Sequence, residues 1–173
     1  MHKYFTPRFW LALALVVTGV VLRVVPHPWN FAPIGAIALF GGAKFDRRAF
    51  GVAIPLLTML IGDAFVGFHS LMPVIYATYA LIAVIGMFLR NRESVATVGG
   101  AALLSSTIFF ITTNFAMWAL GTTYAKTAAG LVTCYVAAIP YFGNTIASDL
   151  LFSAIFFGAF AIAERKIPAF AKA

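Results

Sequence analysis

Six stretches of this 173-residue chain run for fifteen residues or more with at most one Asp, Glu, Lys or Arg in each: Phe9–Val25, Phe31–Phe45, Phe50–Phe68, Met72–Leu89, Val95–Leu120 and Thr145–Ala163. Runs of this kind limit the fold more than any other feature. Water-soluble helices need a polar face, whereas a helix surrounded by hydrocarbon needs none and satisfies its own backbone hydrogen bonds. A perpendicular crossing takes about 20 residues, so the second run is short for a span and begins near Pro33, an imino acid tolerated in a first helical turn. The reading is an all-α membrane protein of six transmembrane helices forming one domain over residues 1–173.

Composition agrees. Hydrophobic residues make up 62% of the chain and charged residues 10%, whereas soluble domains carry about 25% charge. A seventh apolar segment, Tyr124–Phe142, ends at Pro140 and the string Tyr141-Phe142-Gly143-Asn144. The distribution of basic residues decides how to treat it. With six crossings and a cytoplasmic N-terminus, ten basic residues (Lys3, Arg8, Lys44, Arg47, Arg48, Arg90, Arg92, Arg165, Lys166, Lys172) lie inside and two (Arg23, Lys126) outside. A seventh crossing moves three of them outside, leaving seven against five. Six spans, both termini cytoplasmic and an amphipathic or re-entrant surface segment at 124–142 are therefore expected. Lys3 and Arg8 before an apolar run resemble a secretory signal, but no small-residue cleavage pattern follows, and the run reads as a retained first span.

The net charge of +7 does not point to nucleic acid, because its basic residues form short clusters at helix ends, where topology and anionic lipid explain them. Cys134 is the single cysteine, which excludes an intrachain disulfide and a cysteine-based zinc cluster. No H-E-x-x-H, G-x-S-x-G or phosphate-binding loop occurs, so neither catalysis, a metal nor a cofactor is expected.

Acids inside a bilayer are expensive and mark function by default. Asp63 lies about 8 Å below the outer end of its span and Asp149 about 6 Å below the start of its own. Asn114 sits at a similar level in the fifth span, and Trp118 shares its helical face. Above this level the loop carries His27, Trp29 and Asn30; His69 follows the third span, and Asn144 precedes the last. These nine residues are the candidate substrate-binding set, with apolar walls and a few orienting polar groups. Arg23 either pairs with Asp63 or Asp149 or faces an anionic substrate group. Small residues in α-helical spacing, Ala38 and Gly42 in the second run and Ala12, Ala14, Thr18 and Gly19 in the first, suit close helix packing or docking to a partner.

The strings Arg23-x-x-Pro26-His27-Pro28-x-Asn30-Phe31, Ala38-Leu39-Phe40-Gly41-Gly42, Gly62-Asp63-x-x-x-Gly67-Phe68-His69, Asn114-Phe115-x-x-Trp118 and Cys134-Tyr135-x-Ala137-Ala138-Ile139-Pro140-x-x-x-Asn144-Thr145 resemble a family of small uncharacterised bacterial membrane proteins. That family is similar to the substrate-binding (S) components of energy-coupling factor transporters. The resemblance implies an S-component-like bundle in the bacterial inner membrane. It also implies a vitamin or similar micronutrient as small-molecule substrate, membrane lipids around the chain, and a transmembrane coupling subunit with ATPases as partner. Ala14-x-x-x-Thr18 is the nearest match to the Ala-x-x-x-Ala docking feature of that group. A structural subunit of a larger membrane complex and a solitary proton-coupled carrier are the alternatives.

Overall fold

The computed structural model describes residues 7–45 and 47–166. Six helices follow one another: α1 (Pro7–Val24), α2 (Ile34–Lys44), α3 (Arg48–Val66), α4 (Met72–Leu89), α5 (Val95–Leu120) and α6 (Ala128–Lys166). No strand occurs among the described residues. Four of the helices, α3 to α6, are long and apolar enough to cross a membrane; α1 and α2 are shorter apolar helices. These are the proportions of a multi-pass membrane protein. Exposed leucines, valines and phenylalanines over the outside of the bundle, such as Leu57, Phe65, Phe88, Leu103 and Ile155, suit lipid surroundings rather than water.

Local chemistry explains the ends. Ser94 accepts the Thr97 N–H at 3.1 Å and Thr97 Oγ1 accepts the Ser94 N–H at 2.8 Å, a reciprocal cap that starts α5. Gly67, at φ 110°, stops α3 in a conformation that a side chain would strain. Pro73 in the first turn of α4 loses no helical hydrogen bond there.

The centre of the molecule is α2. Its ten residues Ile34–Ala43 are all buried, and at 1.5 Å per residue the helix is only about 16 Å long. It is a half-length helix enclosed by α3, α4, α5 and α6, not a crossing of full depth. Glycine makes the enclosure possible. A methyl group at Gly42 would overlap the Ala83 carbonyl of α4, and one at Gly86 would overlap the Leu39 carbonyl. A methyl group at Gly51 of α3 would come within 2.8 Å of the Gly41 carbonyl. The small residues of the second run thus serve packing within the chain. Phe40 extends from α2 into a group of rings on α6, 5.2 Å from Phe157 and 5.5 Å from Phe160.

A buried short helix carries unpaired N–H groups at one end and carbonyls at the other. Both ends of α2 are met by other helices. Pro33, at the N-cap, supplies no side-chain bond. Asp149 of α6 accepts the Ala36 N–H instead, and Ser148 Oγ donates to the Ala32 carbonyl at 2.8 Å. At the opposite end Arg90 donates to the carbonyls of Phe45 and Gly42. A carboxylate at the helix N-terminus and a guanidinium at its C-terminus both match the helix dipole.

The segment 124–142 departs from expectation. It is not a separate surface or re-entrant piece: residues 128–166 form one helix that continues through Pro140. Proline removes one hydrogen bond from a helix interior, but α5 grips both sides of it. Tyr135 Oη donates to the Ile111 carbonyl at 2.7 Å, and the ring of Phe110 lies 4.5 Å from Phe142 and 5.4 Å from Tyr135. With no turn between the segment and the last apolar run, the two cannot cross in opposite senses.

Replacing Gly86 by Val should lower unfolding stability by about 1–3 kcal/mol, the usual cost of overpacking. Gly143→Ala, where a methyl group meets nothing within 4 Å, should leave it unchanged or slightly higher. Thermal unfolding in mild detergent measures both.

Candidate functional site

Three turns gather at one end of the bundle: residues 25–33 between α1 and α2, 67–71 between α3 and α4, and 121–127 between α5 and α6. Beneath them lies an open cavity of about 780 Å3, within the range that holds a drug-sized ligand. Its walls are mostly apolar, with Met59, Ile75, Ile82, Phe109 and Met117 among them. Its polar groups come from Arg23, His27, Asn30, His69, Tyr79, Thr145 and Asp149.

Five of the nine sequence-derived candidates line it: His27, Trp29, Asn30, His69 and Asp149. His27 Nδ1 donates to the Pro28 carbonyl at 2.8 Å, which orients the ring. Asn30 takes a positive φ of 62°, a backbone geometry that asparagine tolerates better than most residues. Trp29 is largely exposed. Asp149 lies at the floor, 4% exposed. Its Oδ2 accepts the Ser106 hydroxyl at 2.6 Å beside the Ala36 N–H. Gly35 makes room for it, since a methyl group there would overlap the carboxylate.

The other four stand outside the cavity. Asp63, fully buried, pairs with Arg23 and accepts the Tyr76 hydroxyl at 2.6 Å. Arg23 thus takes the pairing weighed for it, with Asp63, and its side chain also lines the cavity. Asn114 Nδ2 donates to the Phe110 carbonyl of its own helix at 2.7 Å. Trp118 Nε1 donates to the Ala125 carbonyl at 2.9 Å, and Lys126 bonds to the carbonyls of Trp118 and Gly121. These two residues close the turn between α5 and α6. Asn144 Nδ2 donates to the Trp29 carbonyl at 3.0 Å, tying the first turn to α6. Asp63, Asn114 and Asp149 thus have separate partners, and only Asp149 of the three reaches the cavity.

Tyr76 and Tyr79 of α4 and Ser106 of α5 were not among the candidates, although two hold the acids and one lines the wall. Their signal was present: hydroxyls inside apolar spans need partners. Among the described residues no group of three His, Cys, Asp or Glu is placed to hold a metal.

A second cleft of about 610 Å3 opens at the far end, between α5 and α6. Its Lys44 bridges Glu93 at 3.1 Å and Glu164 at 3.7 Å. Those charges answer one another, so the first cavity is the better-equipped site.

A model of a family of unknown function, DUF6580, matches residues 3–170. No curated protein and no solved structure matches the chain.

Replacing Asp63 by Asn should cost about 3–5 kcal/mol, because Arg23 then keeps a buried charge without its counter-ion. Asp63→Asn combined with Arg23→Gln should recover part of that loss, as read by the same unfolding measurement.

Proposed function

We propose that this chain, which belongs to the DUF6580 family, is the substrate-binding membrane component of an uptake system for a vitamin or similar small micronutrient. One observation carries the reading: a ligand-sized cavity with apolar walls and a few convergent polar groups opens at one end of an otherwise well-filled bundle.

Charge placement supports an outward-facing cavity. Lys44, Arg47, Arg48, Arg90, Arg92, Arg165 and Lys166 all belong to the end opposite the cavity, while Arg23 and Lys126 belong to the cavity end. Under the positive-inside rule the former end is cytoplasmic. Both termini then lie inside, and the chain passes through the bacterial inner membrane six times: five passages are helices, with α1 tilted or in locally thinned lipid, and the sixth is the turn 25–33 together with the half-length α2. On this reading Trp29, Asn30, His27 and His69 sit at the gate and Asp149 at the floor.

An uptake component of this kind needs a partner to drive release inward. Along α1, which packs chiefly on α3, Leu13, Ala14, Val17 and Val21 stay exposed. That face, with Thr18 beside it, is the surface offered to a transmembrane coupling subunit with ATPases. No catalytic step is assigned to the chain. A solitary proton-coupled carrier has less support, since Asp63 is held by Arg23 and Tyr76 and so is not a free relay group. A structural subunit would leave the cavity without purpose.

Mass spectrometry of small molecules retained through purification in mild detergent should detect one species in stoichiometric amount. Met59→Trp, which fills the cavity from α3, should abolish retention while the protein still folds. A protein that is consistently empty would overturn the binding role.

A further inference from the structure

Among the polar groups that line the cavity, the Asp149 carboxylate and the Thr145 hydroxyl already have partners within the protein. Asp149 accepts the Ser106 hydroxyl and the Ala36 N–H and faces the N-terminus of α2. Asp63 accepts Arg23 and Tyr76 from behind the wall. Thr145 Oγ1 is turned back to the Tyr141 carbonyl at 3.1 Å.

Arg23 is different. A guanidinium carries five N–H donors, and among the described residues only its Nη2 has an acceptor, on Asp63. Its Nε–H has no partner but is closed off beside Gly62, so Nη1, which has no acceptor among the described residues, is the donor left to a ligand. The side chain lies across the bare backbone of Gly62, where a methyl group would overlap it; this holds the guanidinium against the cavity wall. Tyr79 gives a second unused donor. Its hydroxyl has no partner among the described residues, and its ring lies 5.3 Å from that of Phe109 with 31° between their planes. Both rings, tilted to one another, belong to the cavity wall.

We infer that the ligand of this cavity is an anionic, ring-bearing small molecule, an organic acid whose charged group is received by Arg23 and Tyr79 while its ring lies against Phe109. The inference rests on the binding role proposed above and adds the charge of the ligand. A cation or an amine is disfavoured, because the one acid on the cavity wall is only 4% exposed and already receives the Ser106 hydroxyl and the Ala36 N–H. Charge-assisted hydrogen bonds to a guanidinium discriminate well in apolar surroundings.

The test compares three probes with one ring system and different charge: indole-3-acetate, indole-3-acetamide and tryptamine. Saturation-transfer NMR reports their binding to the full chain in lipid nanodiscs. Indole-3-acetate should bind about ten-fold or more tightly than the amide, with tryptamine weakest. Tyr79→Phe, which buries no new charge, should reduce the preference several-fold. The double variant Arg23→Gln with Asp63→Asn, which keeps a neutral pair, should abolish it. Equal or tighter binding of the amide or of tryptamine would overturn the inference while leaving the cavity a binding site. So would a preference that persists in the double variant. Failure of all three probes to bind would overturn the inference as well, and only an empty protein in the retention experiment would take the binding role with it.

Discussion

The two ends of one buried half-helix are what the rest of this structure depends on. A helix of eleven residues that stops within a bundle leaves backbone groups with neither water nor helix partners. Asp149 and Ser148 answer its N-terminus and Arg90 its C-terminus. These contacts explain the arrangement of the other helices. α6 must bring a carboxylate to the start of α2, and α4 must bring a guanidinium to its end. Glycines at 42 and 86 must let backbones touch between the two. Because α2 begins well inside the molecule, space is left above it, and that space is the cavity.

The polar residues divide into those that hold the frame and those that remain available. Asp63, Tyr76 and Arg23 tie α1, α3 and α4 together near the cavity wall. Asn144 anchors the first turn, and Trp118 with Lys126 anchors the last. What stays open to a ligand is a smaller set: the remaining donors of Arg23, the Tyr79 hydroxyl, and the side chains of His27, Asn30 and His69 around the opening. A site built this way has its charge-bearing groups positioned before a ligand arrives, which limits the ordering cost of binding.

Much of the frame was legible in the residues. The bounds of α4 and α5 follow directly from apolar runs ended by charge or glycine, and α1 and α3 fall within two residues of theirs. Pro140 misled for a physical reason. A proline is read as a helix end when only its missing N–H is considered, but here Phe110 and Ile111 of α5 hold Tyr135 and Phe142 on either side of it. Tertiary contact outweighed local preference. The candidate site was half legible. Depth along a helix can be counted, and it placed Asp149 and the turns carrying His27, Trp29, Asn30 and His69 at the cavity, while Asp63 lies behind its wall. Rotation about a helix axis inside an apolar bundle cannot be counted in the same way, because no polar face distinguishes the side toward lipid from the side toward protein. Hence Asn114 and Trp118, though at a suitable depth, bond to their own surroundings.

The residues alone are enough to read this chain as helical, apolar and crowded with small residues at its second helix, and to show where its rare charges fall along each run. Those properties depend on residue type and spacing alone. It takes the packed helices to establish that the second helix is enclosed rather than lipid-facing, that Asp149 caps it, and that Asp63 belongs to Arg23. Each of these is a pairing between groups far apart in the chain, 40 residues for Asp63 with Arg23 and 113 or 114 for Asp149 with Ala36 and Gly35. Such pairings depend on which helix faces meet, and a single sequence of nearly uniform hydrophobicity does not encode that in any local pattern.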